Sequence, residues 1–323
     1  MRRREIIVLL GVAAFAGWLS GHAQQPGKVY RIGWLTSTTG PPTAFRDALR
    51  DFGWLEGKTI AFEVRQAEGR RERLPEMAAD LVRSNVDIIL AVAPTAIRAA
   101  MQATTKIPIV MSWWGGPDLV QSGIIASFAR PGGNVTGIHM LLYTLDAKRL
   151  DLLHQAVPSA RKIAVLIPDR VLHEVQLPPV LEAGRKSGLE LHVIGVTEHG
   201  GYEGAFDAIG NIGAGALLVM SSPDFNRDRN LIIGLAARRR VPAIYDSGYN
   251  AREGGLIAYG ANVAELYRMS ASFVDRIFKG ANPADLPVEQ PTKFELLVNL
   301  KTAKDLDFTV PPSLLALADE VIE

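Results

Sequence analysis

Polar and aromatic residues that could bind a small molecule follow several predicted strands of this chain. Thr36 and Ser37 follow the first strand, and Asp169 follows a strand over residues 162–167. The other candidates in such positions are Pro94, Thr95, Ser112, Trp113, Trp114, Asp118, Ser222, Pro223, Asp224, Tyr245, Asp246 and Tyr249. Hydroxyl groups and the first N–H groups of a helix attract anions, whereas a carboxylate accepts hydrogen bonds from an ammonium group. These residue types predict a site for a small anionic or zwitterionic molecule.

The most specific single feature is the neighbouring pair Trp113 and Trp114. A tryptophan pair on a loop can stack on a planar ligand or can cap a sheet as part of the core, and the sequence leaves both readings open. Neighbouring residues of an extended run point in opposite directions, so at most one of the two should face a ligand. Tyr245 and Tyr249 add two rings with a polar hydroxyl group.

An amino acid would need partners for both of its charged groups. We expect Thr95, as a helix N-cap, and the first N–H groups of its helix to bind a carboxylate. The acceptors for an ammonium group are Asp118, Asp169, Asp224 and Asp246, of which Asp118 is favoured because it follows the tryptophan pair. Whether the solute is an amino acid or a plain aromatic acid stays open.

Motifs for catalysis are absent from the sequence. It has no G-x-S-x-G elbow, no phosphate-binding loop and no cysteine, and its six histidines show no metal-ligand spacing. We therefore predict no enzyme activity, no metal and no cofactor. A formal net charge of +1 without a basic block also argues against a nucleic-acid partner.

Strands alternate with amphipathic helices before and after the run Ala129–Gly137. This alternation predicts an α/β fold in which each of two similar lobes is a parallel sheet flanked by helices. The central run contains three glycines and one proline, so its backbone must turn sharply. We interpret it as the place where the chain leaves the first lobe; a surface turn within one domain is the alternative.

Residues 1–23 have the pattern of a signal peptide. Three arginines at positions 2–4 precede an apolar stretch over residues 6–19, and small residues stand at Gly21 and Ala23. The apolar stretch is short for a membrane span of about 20 residues, so a membrane anchor is the weaker alternative. Since no cysteine can carry a lipid, we predict a soluble periplasmic protein, exported by the Sec or the twin-arginine route.

Several stretches carry a resemblance to a known family. They are Glu56-Gly57-Lys58, Ala129–Gly137, the tail beginning at Tyr267, residues 285–291 and residues 299–304. On these stretches the chain resembles the ABC-transporter substrate-binding proteins whose characterised members include tryptophan and tyrosine uptake proteins. The resemblance runs from about Tyr30 to Glu323. One departure is Asp118-Leu119, where the family has Asp-Pro.

The resemblance implies the type I periplasmic-binding-protein fold with a three-crossing hinge near Gly137, Tyr259 and Glu289. The lobes would be residues 28–138 with 259–285 and residues 139–258 with 289–323. The implied function is the periplasmic solute-binding component of an ABC importer, which captures a small aromatic carboxylate-bearing solute between the lobes. The implied partners are that solute and a membrane permease, with the protein itself a monomer. A ligand-sensing module that reports to a membrane receptor is the alternative.

Overall fold

A computed structural model describes residues 28–37, 39–115, 118–140, 142–168, 177–196 and 201–323. The predicted signal peptide and Asp169 lie outside these ranges. Within them the chain forms two sheets with helices on both faces of each, so the predicted α/β fold with two lobes is confirmed. None of the helices in the described ranges combines the length and the apolar character that a bilayer crossing requires.

The strands and helices alternate along most of the chain. The strands are Tyr30–Thr36 (β1), Ile60–Gln66 (β2), Ile88–Val92 (β3), Ile109–Trp114 (β4), Val135–His139 (β5), Lys162–Pro168 (β6), Glu190–Val196 (β7), Ala216–Val219 (β8), Ala243–Tyr245 (β9), Ile257–Ala261 (β10), Phe294–Asn299 (β11) and Glu320–Ile322 (β12). The helices are Thr43–Asp51 (α1), Leu74–Arg83 (α2), Ala93–Ala103 (α3), Leu142–Ala156 (α4), Leu177–Lys186 (α5), Tyr202–Asn211 (α6), Pro223–Arg227 (α7), Arg229–Arg238 (α8), Gly248–Arg252 (α9), Val263–Phe278 (α10), Leu300–Asp305 (α11) and Pro312–Leu315 (α12).

The first sheet has the order β2-β1-β3-β4-β5, and its strands are all parallel. Its central strands are apolar on both faces, as expected for a parallel sheet covered on both sides. Leu35, Ile89 and Met111 point into one buried cluster with α2 and α3. Trp34 and Leu90 point into the other, with α1 and α10.

The second sheet has the order β12-β11-β10-β9-β8-β6-β7. Neighbouring strands are parallel except for β10 and β11, which are antiparallel. Strands β11 and β12 therefore run opposite to the other five. Buried apolar clusters again lie on both faces, one beneath α4 and α5 and the other beneath α6 and α8. The carboxyl ends of β8 and β9 lead to Ser221 and Asp246.

Helix α10 packs on the first sheet although β10 and β11, which flank it in the chain, belong to the second. Asn262 caps the helix by accepting a hydrogen bond from the Glu265 N–H at 3.0 Å. The Trp54 indole N–H donates to Asp275 at 2.9 Å, which ties α10 to the segment after α1. The chain therefore returns to the first sheet late in the sequence.

Some local predictions were wrong. Strand β4 extends through Trp114, so the tryptophan pair ends a strand and does not lie on a loop. Helix α3 begins at Ala93 because that residue turns the chain with a φ of +74°, so Thr95 is inside the helix and is not its N-cap. The central run leads into β5, which still belongs to the first sheet. The lobe boundaries and the number of hinge crossings remain predictions.

Candidate functional site

A cavity of about 760 Å³ lies between the two sheets, at the carboxyl ends of their strands. Open α/β sheets bind ligands at such edges. Predicted site residues on its wall are Thr36, Ser37, Pro94, Trp113, Ser222, Asp246 and Tyr249. The first four come from the first lobe and the other three from the second. The cavity thus combines side chains from both halves of the chain.

The tryptophan pair is divided between the cavity and the core. Trp113 is half-buried and lines the cavity, whereas Trp114 is fully buried in the cluster beneath α2 and α3. The Arg98 guanidinium lies 5.2 Å from the Trp114 ring centroid. Strand alternation explains the division, because successive side chains point to opposite faces. Trp114 is therefore a core residue and not a wall residue.

Ser112 and Tyr245 also lie away from the cavity, since the side chains of both are buried in the interior. The Ser112 hydroxyl lies 3.3 Å from the Ser270 hydroxyl, in a contact between β4 and α10. Tyr245 is the last residue of β9 and packs into the core beneath α6 and α8. Burial raises the pKa of its phenol above the ordinary value.

Three further predicted residues have other structural roles. Thr95 is exposed on α3 and does not line the cavity. Asp118 accepts hydrogen bonds from the Val120 and Gln121 N–H groups, both at 2.9 Å, so its carboxylate holds a local turn. Pro223 is the first residue of α7. Asp118 is thus not the cavity acceptor that the sequence favoured.

Asp246 is the cavity carboxylate best placed to accept from a ligand. Its Oδ2 accepts from the Ser221 hydroxyl at 2.6 Å, and its Oδ1 accepts from the Asn250 amide at 3.2 Å. The side chain is half-buried, and no cation is hydrogen-bonded to it within the described residues. These neutral donors hold the carboxylate in position without pairing it directly with a cation. An ammonium group in the cavity would supply the missing charge.

Sequence reasoning did not place Tyr267 in the site. This residue lines the cavity from α10, and its ring centroid lies 6.4 Å from those of Trp34 and Phe45. Burial, and to a lesser extent the nearby Tyr249 phenol, raises the pKa of Tyr267 to about 12. Helix α10 packs on the first sheet although it follows β10 of the second. No local sequence pattern indicates that position. The residue stood out only as the start of a family-typical stretch.

Two arginines on the wall were also missed, and both form ion pairs. The Arg229 guanidinium donates to the two carboxylate oxygens of Glu253 at 2.5 and 2.8 Å. Arg227 donates to Asp228 at 2.8 and 2.9 Å. These bidentate pairs raise the pKa of each arginine. Both guanidinium charges are therefore balanced by carboxylates of the same lobe.

The two lobes touch beside the cavity wall formed by Gly69 and Arg227. Arg71, which follows β2, forms an ion pair with Asp224 on α7. Nearby, a Cβ added at Gly69 would lie 3.2 Å from Nη1 of Arg227. Asp224 was predicted to contact a ligand, but it does not line the cavity and instead pairs with Arg71 of the other lobe. Among the described residues, no group of three or more His, Cys, Asp and Glu side chains could hold a metal ion.

Comparison with known proteins gives consistent matches. Residues 41–322 match the family model described as ABC transporter substrate binding protein. The chain is 26% identical over 267 residues to a tyrosine-binding protein of Clostridioides difficile (strain R20291), covering 81% of this chain and 75% of that relative.

Two solved structures share the fold over most of the chain. One is an ABC domain from Streptococcus pneumonia in complex with L-Trp, with a TM-score of 0.82 and 20% identity over 91% of this chain and 100% of that one. The other is a ligand-free, open substrate-binding protein with adhesive properties from Clostridium difficile, with a TM-score of 0.66 and 23% identity over 91% and 99% of the chains.

Proposed function

Because this chain belongs to the ABC transporter substrate-binding protein family, we propose that it is the periplasmic solute-binding component of an importer and captures an aromatic amino acid. The solute occupies the cavity between the lobes and is delivered to a membrane permease. The observation that carries this proposal is one cavity with aromatic rings from both lobes and a carboxylate without a paired cation.

The aromatic part of the solute is bound by Trp113, Tyr249 and Tyr267. Trp113 and Tyr267 belong to elements of the first lobe, and Tyr249 belongs to α9 of the second. Stacked or edge-on aromatic pairs contribute about 0.5–1.5 kcal/mol beyond the burial of apolar area. One relative is named as a tyrosine-binding protein, and a different protein of the same fold was solved with L-Trp. Both support this choice of solute.

The two charged groups of the amino acid are bound from opposite lobes. Helix α3 begins at the cavity with Ala93 and Pro94, and no side chain caps it, so its first N–H groups can donate to the carboxylate. The hydroxyl groups of Thr36 and Ser37 lie on the same wall. The ammonium group binds Asp246 in the second lobe. This arrangement favours an amino acid over a plain aromatic acid.

The test is to measure the affinity of the purified protein for tyrosine and tryptophan and for the deaminated acid of each. Asp246→Asn is expected to weaken amino-acid binding at least about tenfold, because a charge-assisted hydrogen bond contributes about 1.5–3 kcal/mol. The same change should leave the deaminated acid bound equally or more tightly. Isothermal titration calorimetry measures both affinities.

Asp118→Asn is the matched control for this experiment. Its carboxylate holds a turn outside the cavity, so amino-acid affinity should stay within about threefold of the parent value. A parent protein that prefers the deaminated acid would contradict the assignment of an amino acid. Failure to bind any of the four compounds would contradict the aromatic solute altogether.

We further propose that residues 28–138 with 259–285 and residues 139–258 with 289–323 act as rigid lobes, linked by three crossings near Gly137, Tyr259 and Glu289. Hinge closure of two lobes around a ligand is a common form of domain motion. The position of α10 on the first sheet, between two strands of the second, supports this division. The Arg71–Asp224 ion pair would then form as the lobes close.

Replacing Arg71 by glutamine should speed ligand dissociation about two- to fivefold, because partly exposed ion pairs contribute at most about 1 kcal/mol. Stopped-flow fluorescence measures this rate. Arg70→Gln is the control, since the ion pair of Arg70 is with Glu68 of its own lobe, at 3.4 Å. Equal dissociation rates in the two variants would argue against a role for the ion pair in closure.

A further inference from the structure

Two charged residues are buried behind the second-lobe wall of the cavity. Asp146 and Arg149 lie one turn apart on α4 and form an ion pair, and both side chains are 0% exposed. Neither residue lines the cavity. Buried charges need partners, because their transfer from water is strongly unfavourable. The contacts of this pair therefore indicate what it holds in position.

Asp146 contacts the wall that carries Asp246. Helix α4 packs on β8 and β9, the strands that lead to Ser221 and Asp246. The Ser221 backbone N–H is close enough to the Asp146 carboxyl to lower its pKa, against the larger effect of burial. The Ser221 hydroxyl in turn donates to Asp246 at 2.6 Å. Burial raises the pKa of Asp146 to about 6, and the negative charge of Asp246 contributes to this shift. The Asp246 carboxylate is therefore close enough to Asp146 to affect its protonation.

Arg149 connects the same wall to β10. Its Nε donates to the Tyr259 carbonyl at 2.6 Å, while its Nη1 donates to Asp146. The chain continues from Tyr259 to Ala261, which lines the cavity, and then into α10. Among the described residues, Nη2 of Arg149 and Oδ2 of Asp146 have no hydrogen-bond partner. The Asp146 carboxylate and the Arg149 guanidinium thus chiefly neutralise each other.

The charges of Asp146, Arg149 and Asp246 together determine how strongly the wall attracts an ammonium group. With Arg149 neutralising Asp146, the net charge near the ligand is that of Asp246 alone. Removal of the Asp146 charge would leave a buried guanidinium behind Asp246 and weaken the attraction of the wall for an ammonium group. Removal of the Arg149 charge would not have this effect. At an effective dielectric constant of about 20, charges within about ten ångströms of each other change an affinity by about tenfold or more.

We propose that Asp146 and Arg149 are positioning residues that set the preference of the cavity for a solute bearing an ammonium group. They act through Ser221 and Asp246 without touching the solute. The inference rests on the proposed function, since it concerns how the same cavity distinguishes an amino acid from its deaminated acid.

The experiment measures the ratio of the affinities for tyrosine or tryptophan, whichever the parent binds more tightly, and for its deaminated acid. Asp146→Asn should lower this ratio about tenfold. Arg149→Gln should not lower it, and the double variant Asp146→Asn with Arg149→Gln should return it to within about threefold of the parent value. Asp151→Asn is the matched control: Asp151 forms an exposed pair with Lys148 on the same helix, at the same spacing, and its loss should leave the ratio unchanged.

A role limited to stability gives a different result. If Asp146→Asn weakens both ligands equally, or if the double variant keeps the lowered ratio, the proposal is overturned while the proposed function stands. A parent protein that binds neither ligand overturns both. Circular dichroism and thermal melting establish that each variant is folded.

The pH dependence of the parent provides a second arm in case Asp146→Asn does not fold. The charged groups facing Asp146 are Arg149 on its own helix and Asp246 after β9. Protonation of Asp146 leaves Arg149 uncompensated, as the substitution does, so the affinity ratio should fall as the pH is lowered through about 6. A ratio that is constant between about pH 7.5 and 5.5 contradicts the proposal.

Discussion

Replacing Trp114 by alanine is expected to lower the free energy of unfolding by about 3–5 kcal/mol, the usual cost of removing a large buried aromatic side chain. Its ring is fully buried beneath α2 and α3 and also contacts the Arg98 guanidinium. The same replacement at Trp113 should have a much smaller effect on stability, because that ring is half-buried at the cavity wall. Trp113→Ala should instead weaken the binding of an aromatic amino acid several-fold.

The two variants are a matched pair, since they remove the same side chain from adjacent positions of one strand. Urea unfolding gives the stability of each variant, and calorimetry at a temperature where both are folded gives the affinity. Equal destabilisation of the two proteins would show that Trp113 is also a core residue. Unchanged affinity in Trp113→Ala would remove this ring from the proposed site.

Replacing Gly260 by alanine is expected to destabilise the protein by about 3 kcal/mol and to reduce ligand affinity at the same time. A Cβ added at Gly260 would lie 1.9 Å from the Asp246 carbonyl oxygen and 2.9 Å from its carbonyl carbon. Because both contacts are with backbone atoms, no side-chain rotation relieves them. The segment that carries Asp246 must therefore move away from β10.

Gly195→Ala is the control for this prediction. Gly195 also lies in a strand of the second sheet, but a Cβ added there has no atom within 4 Å. Its replacement should change stability by less than about 1 kcal/mol. Thermal melting compares the two variants directly. Similar melting temperatures would show that the close packing at Gly260 is easily relaxed.

The sequence predicted the strands and helices better than it predicted the directions of side chains. Alternating apolar periods are local, and the alternation of strands and helices that they predicted is present in the structure. The direction of a residue near a strand end depends on where the strand stops, and β4 and β9 each include residues that were predicted to follow them. Tyr245 consequently lies in the core, although it was predicted to face the ligand.

Backbone conformation and long-range packing account for the other errors in the site. The positive φ of Ala93 starts α3 earlier than its threonine suggested, and a residue other than glycine gives little warning of such a turn. Asp118 has the residue type that an ammonium site needs, but nearby N–H groups occupy it. Tyr267 reaches the cavity only because α10 returns to the first sheet.

The late return of α10 has a consequence for how the chain folds. Trp54 and Asp275, whose side chains are hydrogen-bonded, are separated by 221 positions, and the same helix covers one apolar face of the first sheet. During synthesis that face stays uncovered until β6 to β10 and α10 itself have been made. Contacts of such long sequence separation slow folding and expose apolar surface in intermediates. The first sheet therefore cannot finish folding before most of the second is available to the chain.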